Sequence, residues 1–134
     1  MANPGGPLAG VRVLDAAGMI AAPSACAIMA DLGADVIKLE PPHGDLLRGL
    51  VTVPDGPDPW WELDNRGKRG IVVDLTTEEG IQVAHKIAAS CDVFVTNLTT
   101  ERQSKFKLRA SDLREDHPQL IHLTLTGYGN SGPD

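Results

Sequence analysis

Cysteines and aromatic residues are scarce in this 134-residue chain, which has two cysteines and is 4% aromatic. Cys26 and Cys91 lie in apolar helix-like segments and match no metal-binding spacing. We therefore predict that both are reduced thiols that pack in the core of a cytoplasmic protein. The four histidines are dispersed along the chain, and no pair has the spacing of zinc ligands, so no metal site is expected.

The sequence also lacks long apolar runs and an excess of positive charge. No run approaches the length of a membrane span, and the first residues lack the basic start and apolar core of a signal peptide. We expect residues 1–6 to form a flexible arm. The net charge of −6 argues against a nucleic acid or a membrane surface as partner. A local basic patch could still hold a small phosphorylated ligand.

The glycine motifs of the common nucleotide-binding folds are missing. The segment 16–22, after the first predicted strand, lacks the three spaced glycines of the dinucleotide fingerprint. No Gly-Lys-Ser/Thr triplet of a P-loop occurs either. NAD and ATP are therefore not expected as ligands.

Strand-like and helix-like patterns follow one another along the chain. Strands are predicted at 11–15, 36–39, 71–75, 92–97 and 120–126, with helical patterns at 24–32, after 76–79, within 98–110 and before Pro118. This order predicts an α/β fold over residues 7–134, a Rossmann-like layered domain with a mostly parallel sheet. Residues 40–61, rich in proline and glycine, are expected to form a long loop that Trp60 and Trp61 anchor.

Several local signals mark the ends of the predicted helices. Gly33 is placed to end the first helix in the left-handed conformation, and Thr76 with Glu79 forms a capping-box pattern. Ser111 or Asp112 is the expected N-cap of the last helix. The first helix carries an apolar stripe at helical spacing, which indicates an amphipathic helix: Ala25, Ile28, Met29 and Leu32.

Four loops leave the carboxyl ends of the predicted strands, at 16–22, 40–45, 97–100 and 127–132. Because ligands of such sheets bind beyond these ends, we expect the loops to converge on a site. The basic segment Asp64–Arg69 is equally compatible with phosphate binding and with a solvated turn. Lys105, Lys107 and Arg109 indicate a solvent-exposed basic surface. The glycine turn from Gly127 offers backbone N–H groups to an oxyanion, which is a weak signal by itself.

Five segments in order resemble one known family. They are Pro7–Asp15, Ala30–Asp45, Asn65–Arg69 with Asp74 and Leu75, Asp92–Asn97, and Leu120–Pro133. Together they are similar to the N-terminal part of the family III CoA-transferases. This group includes formyl-CoA transferase, L-carnitine CoA-transferase and the bile-acid-inducible F protein, and also α-methylacyl-CoA racemase. Lys107 stands where the family usually has a glycine.

The resemblance implies a large CoA-binding domain that forms part of a larger interlocked homodimer, with a smaller second domain and the catalytic segment outside these 134 residues. It implies that residues of four segments face coenzyme A: Ile20 and Ala21; Asp64, Asn65, Arg66 and Lys68; Asn97, Leu98 and Lys105; and Gly127, Tyr128 and Gly129. The basic segment would neutralise the phosphates of CoA. The implied partners are an acyl-CoA and a small carboxylic acid, without a metal.

The family mechanism that the resemblance implies uses an aspartate as nucleophile. This aspartate attacks the acyl-CoA thioester and then carries CoA as an aspartyl thioester. It is expected beyond residue 134, so no residue of this chain is assigned a catalytic role. An isomerase of the racemase type and a non-catalytic CoA-binding or interaction module are the alternatives.

Overall fold

A computed structural model describes residues 5–50, 53 and 56–129. Within them, five strands and five helices follow in the order β1 (Arg12–Asp15), α1 (Ala21–Asp31), β2 (Asp35–Glu40), α2 (Pro59–Asn65), β3 (Arg69–Val72), α3 (Glu78–Ala88), β4 (Val93–Thr96), α4 (Thr100–Lys105), α5 (Ala110–Arg114) and β5 (Ile121–Thr124). Most of the predicted N-terminal arm and the end of the glycine turn lie outside the described residues. Gly6, at the end of the expected arm, lies so close to α1 that a Cβ there would come 2.1 Å from the carbonyl oxygen of Leu32.

The sheet has the order β3-β2-β1-β4-β5, and every neighbouring pair among these strands is parallel. This confirms the α/β prediction. Right-handed crossovers put α1 and α2 on one face and α3 to α5 on the other, because the chain moves in opposite directions before and after β3. The direction reverses between β1 and β4, which is where ligands of such sheets bind.

The core is divided by the sheet into two layers. One contains Val13, Val36 and Val95 from the strands with Cys26 and Ala30 from α1. The other contains Leu14, Phe94 and Leu120 with Ala84, Ala88, Cys91, Leu108 and Leu113. Both cysteines are buried free thiols, as predicted.

Helix α1 turns a different face to the sheet than its apolar stripe suggested. Ile28 and Leu32 are exposed, and only Met29 of the larger stripe residues is half-buried. The buried face consists of the small residues Ala22, Pro23, Cys26, Ala27 and Ala30. Small side chains let the helix lie close to β1, so close packing and not hydrophobicity selects this face.

The helix ends agree with the sequence in one case and differ in two. Gly33 has φ 104°, and the N–H groups of Gly33 and Ala34 bond to the carbonyls of Ala30 and Met29, a Schellman motif. The cap of α3 is Thr77, because the Thr76 hydroxyl is bonded to Asp74 instead.

The last helix, α5, begins at Ala110, so Ser111 and Asp112 are not its N-cap. Asp112 lies in the first turn, where its carboxylate accepts from the backbone N–H of Arg109. A carboxylate is favourable at either position, near the exposed N–H groups of the helix start.

The predicted loop 40–61 ends earlier than expected, because α2 starts at Pro59. The Asp58 carboxylate caps the helix by accepting from the N–H groups of Trp60 and Trp61, and proline suits the first position. Trp61 still anchors the preceding segment, since the guanidinium of Arg48 lies 3.5 Å from its ring centroid.

Candidate functional site

A cleft of about 890 Å³ lies beyond the carboxyl ends of the strands. Its walls are the segments 16–19, 41–46, 74–76 and 97–99, together with Arg102, Lys105 and Phe106 around α4. Three of the four predicted loops therefore converge as expected. The glycine turn does not line this cleft in the described residues, and the segment 74–76 takes the fourth place.

The turn after β1 is held by side chains from the loops that follow the two neighbouring strands. The side-chain amide of Asn97 accepts from the Gly18 N–H at 2.9 Å and donates to the Gly18 carbonyl at 2.8 Å. The Asp45 carboxylate accepts from the Met19 N–H at 3.2 Å. Met19 has φ 65°, a left-handed conformation that is costly for a residue with a side chain.

Two buried lysines and two buried aspartates form an ionic network beneath this turn. The Lys38 ammonium lies 3.0 Å from Asp45 and 3.8 Å from Asp15, and it donates to the Ala17 carbonyl. The Lys68 ammonium lies 2.8 Å from Asp15. Charge is balanced two against two. Among the described residues, no buried side-chain nitrogen or oxygen lacks a hydrogen-bond partner.

The electrostatics of the network follow from burial and pairing. Burial acts to raise the pKa of Asp45, but the Leu47 N–H, the charge of Lys38 and the Met19 N–H outweigh it, so the pKa lies below its usual value. Burial lowers the pKa of Lys68 although Asp15 opposes the shift. Burial, followed by the charge of Asp15, raises the pKa of the Cys26 thiol to about 12.

Glu40 and Arg48 fasten the start of the long loop to the sheet. The guanidinium makes two hydrogen bonds to the buried carboxylate, at 2.7 and 2.8 Å. This bidentate pair is the first cause of the lowered pKa of Glu40. The backbone N–H of Asp45 also bonds to Glu40, so the same pair supports the cleft wall at 41–46.

The basic segment around Gly67 lies away from the cleft, and its cations are paired within the protein. Lys68 donates to Asp15, to Asn65 and to the Pro23 carbonyl, which uses its three N–H groups. Arg66 pairs with Asp31. The buried Asp64 accepts from the hydroxyl of Ser24. Asn65 and Lys68 line a separate small cavity of about 150 Å³.

The remaining predicted contacts divide between the cleft and its surroundings. Asn97, Leu98 and Lys105 line the cleft. Ile20 is the N-cap of α1 and Ala21 its first residue, so both directly follow the lining residue Met19. Tyr128 is fully exposed, and the Gly129 N–H bonds to the hydroxyl of Thr126. The roles assigned to these residues and to Asp64–Lys68 in binding CoA stay predictions.

Sequence reasoning missed Arg102, which lines the cleft one helical turn before Lys105. The spacing of three residues was visible, but a predicted helix does not reveal which side faces a cavity. It also missed Lys38 and Asp45, whose pairing joins a strand to a loop. Asp15, at the end of β1, bonds the next turn, since its carboxylate accepts from the Ala17 N–H at 3.1 Å.

His122 and His85 make structural contacts, whereas His43 lines the cleft. His122 stacks on Phe94, with ring centroids 5.0 Å apart, and its Nε2 bonds to the Leu108 carbonyl. His85 bonds to the carbonyl of Lys107, which has φ 53°. No group of three potential metal ligands occurs among the described residues. Likewise, none of the described helices is long and apolar enough to cross a bilayer.

Comparison with known proteins agrees with this geometry. The model of CoA-transferase family III matches residues 8–134. A probable fatty acyl-CoA transferase of Mycobacterium tuberculosis is 40% identical over 98% of the chain, and human succinyl-CoA:glutarate CoA-transferase is 38% identical over 95%. The crystal structure of the M. tuberculosis protein superposes with a TM-score of 0.90 over 98% of the chain. The chain belongs to CoA-transferase family III.

These comparisons also define how much of the relatives the chain represents. It covers 34% of the M. tuberculosis sequence, 30% of the human one and 37% of the solved chain. The chain therefore spans about a third of the length of the relatives that it matches, and the match corresponds to their N-terminal part.

Proposed function

We propose that residues 7–134 form the CoA-binding part of an acyl-CoA:carboxylic acid CoA-transferase. The observation that carries the proposal is the cleft of about 890 Å³ at the point where the strand order reverses, with two cations of α4 in its wall. Family membership supplies the ligand class, because the relatives are named as CoA-transferases.

The composition of the cleft suits an elongated coenzyme with a flat aromatic base and several phosphates. Pro41, Leu75 and Phe106 provide apolar wall surface, and Arg102 and Lys105 provide positive charge. Hydrogen bonds from a cation to a phosphate are stronger than those between neutral groups. We assign the phosphates to this pair rather than to Lys68, since the N–H groups of Lys68 already bond to buried acceptors.

The nucleophile in this proposal is an aspartate outside residues 1–134. It attacks the thioester carbonyl, which gives a mixed anhydride and releases the CoA thiolate. The thiolate then attacks the aspartyl carbonyl of the anhydride, so the donor carboxylate leaves and an aspartyl-CoA thioester remains. The acceptor carboxylate attacks this thioester to form a second anhydride, and the released thiolate attacks the acceptor's carbonyl, which gives the new acyl-CoA and regenerates the aspartate. The cleft carboxylates described here are otherwise engaged. Asp45 is paired with Lys38, and Asp74 accepts from the Thr76 hydroxyl and N–H. A second domain, a homodimeric assembly and a cytoplasmic location complete the proposal.

The test measures CoA binding and CoA transfer with the protein at its full natural length. Arg102→Ala and Lys105→Ala should each weaken CoA binding about tenfold, the effect of losing one hydrogen bond to a charged group. Lys86→Ala is the matched control, because it removes one positive charge from an exposed position of α3 outside the cleft. Isothermal titration calorimetry gives the affinity.

The outcomes distinguish the transferase from the isomerase and from the non-catalytic binding module. Transfer of CoA between an acyl-CoA and a free acid supports the transferase. Exchange of the α-proton of a 2-methylacyl-CoA without transfer would instead establish the isomerase, and CoA binding without either reaction would establish the binding module. If both α4 variants bind CoA like the wild type, the assignment of the phosphates to this cleft is wrong.

A further inference from the structure

The turn that connects β1 to α1 has an unusual source of rigidity. Its two consecutive N–H groups, on Gly18 and Met19, bond to side chains and not to backbone carbonyls. The two side chains come from opposite directions, Asn97 from the end of β4 and Asp45 from the loop after β2. All four residues line the cleft.

Asn97 closes a ring with a single residue of the turn. Its Oδ1 accepts from Gly18 and its Nδ2 donates to the same residue, so both polar atoms of the side chain are used. Each of these atoms keeps one further hydrogen-bonding site, so a ligand that bonded to this amide would have to do so in the orientation that the turn imposes. Because Asn97 is exposed, a ligand that covers it would exclude water from these two hydrogen bonds and strengthen them.

Asp45 holds the other side of the turn and is itself fixed from below. One carboxylate oxygen accepts from the N–H groups of Met19 and Leu47, and the other lies 3.0 Å from the Lys38 ammonium. Lys38 also donates to the Ala17 carbonyl. Ala17, which precedes Gly18, and Asp45, which binds Met19, thus share the buried Lys38.

Met19 has a backbone conformation that these hydrogen bonds must stabilise. The left-handed conformation is costly for a residue with a side chain, and it persists only where the surroundings determine it. With φ 65°, Met19 contributes to the lining of the cleft. The hydrogen bonds of the Gly18 carbonyl and the Met19 N–H hold the peptide unit between these two residues from both sides and stabilise this conformation.

We infer that Asn97 and Asp45 form a two-sided clamp on Gly18 and Met19, and that Asn97 is a positioning residue that shapes the cleft for CoA. The structural half of this inference stands on the hydrogen bonds alone. The half that concerns CoA rests on the proposed function.

The test compares Asn97→Ala and Asp45→Asn with the wild type in two measurements on the full-length protein. Hydrogen–deuterium exchange without ligand, followed on a peptide that spans residues 16–22, should rise at least tenfold in rate for Asn97→Ala. Asp45→Asn should raise it too, because an amide NH₂ would then face Lys38. CoA affinity from calorimetry should fall in the same variants.

Gln103→Ala is the matched control. Gln103 is also a side-chain amide that holds a cleft loop, since its Nε2 donates to the Leu98 carbonyl at 2.7 Å, but it does not touch the turn. Exchange over 16–22 should therefore stay at the wild-type rate in this variant. Asn97 is exposed, so its variant keeps the test valid if the buried Asp45→Asn change prevents folding.

The possible results have different meanings. Unchanged exchange with weaker CoA binding in Asn97→Ala would make Asn97 a direct ligand and overturn the inference. Faster exchange with unchanged CoA affinity would also overturn its positioning role. If the wild type binds no CoA, the proposed function fails, while the exchange rates still decide whether the clamp exists.

Discussion

Lys38 is a lysine in an unusual environment, because its charged side chain is buried in the sheet. It lies in β2 with a side chain that is 2% exposed, between the carboxylates of Asp45 and Asp15. In the sequence it interrupts the apolar run Val36-Ile-Lys-Leu39, where a lysine more often points to solvent. Burial is tolerated here because both neighbours carry opposite charge.

Replacing this lysine tests the cost of breaking the network. Lys38→Met keeps an unbranched side chain but leaves Lys68 as the one cation for the two buried carboxylates of the network. We expect the change to lower the free energy of unfolding by about 3–5 kcal/mol. Arg69→Met is the control, because it removes a solvent-exposed pair with Asp35 and should cost at most about 1 kcal/mol. Urea denaturation measures both. Equal losses would contradict the burial argument.

The thiols provide a second prediction for single residues. Burial raises the pKa of Cys26 to about 12 and also raises the pKa of Cys91. Because the thiolate is the reactive form, neither residue should react with iodoacetamide at pH 8 in the folded protein. Mass spectrometry should find both alkylated once the protein is unfolded in guanidinium. Rapid native labelling of Cys26 would show that the α1 layer opens.

Among the elements, α3 shows how closely a cap can be located from sequence. The pattern Thr-Thr-Glu-Glu favoured Thr76 because Glu79 follows three residues later. The structure places the cap at Thr77, whose hydroxyl accepts from the Gly80 N–H at 3.1 Å. The chain comes so close here that a Cβ on Gly80 would lie 1.9 Å from the Asp74 carbonyl oxygen. That contact determines where the helix starts, and a local sequence motif does not reveal it.

Two threonine variants separate these assignments. Thr77→Ala should reduce the free energy of unfolding by about 1 kcal/mol, since it leaves the Gly80 N–H without its acceptor. Thr76→Ala should cost less than about 0.5 kcal/mol, because Thr76 is exposed and its hydroxyl bonds to the Asp74 carboxylate. Thermal unfolding of the two proteins is the measurement. A larger loss of stability in Thr76→Ala than in Thr77→Ala would show that Thr76 is the N-cap of α3, as the sequence pattern predicted.

For the molecule as a whole, the paired carboxylates couple folding to pH. The bidentate bond from Arg48 lowers the pKa of Glu40 from 4.5, and the Leu47 N–H and Lys38 lower that of Asp45 from 3.8 against the opposing effect of burial. A carboxyl group with a lowered pKa binds its proton more weakly in the folded state. Its stabilising effect is therefore complete above its ordinary pKa and is lost as the pH falls through the folded value.

We accordingly expect the free energy of unfolding to fall as the pH drops below about 4.5, with a shallower decline in Asp45→Asn. Denaturant midpoints measured between pH 7 and pH 3 test this. Asp116→Asn, an exposed aspartate outside the cleft, is the control and should keep the wild-type slope. A wild-type slope in Asp45→Asn would show that this carboxyl does not stabilise the fold through its charge.

The sequence by itself determined the α/β class, a mostly parallel sheet and three of the loops that form the cleft. Apolar periodicity, the glycine that ends α1 at position 33 and the proline-glycine loops are local features of the sequence. The right-handed crossover rule then determines how the strands and helices pack into layers. Only the tertiary structure decided that Lys68 is paired in the interior, that Arg102 lines the cleft and that Asn97 binds Gly18. These facts depend on partners up to 79 residues apart, whose meeting is set by strand register and helix packing and not by any local pattern.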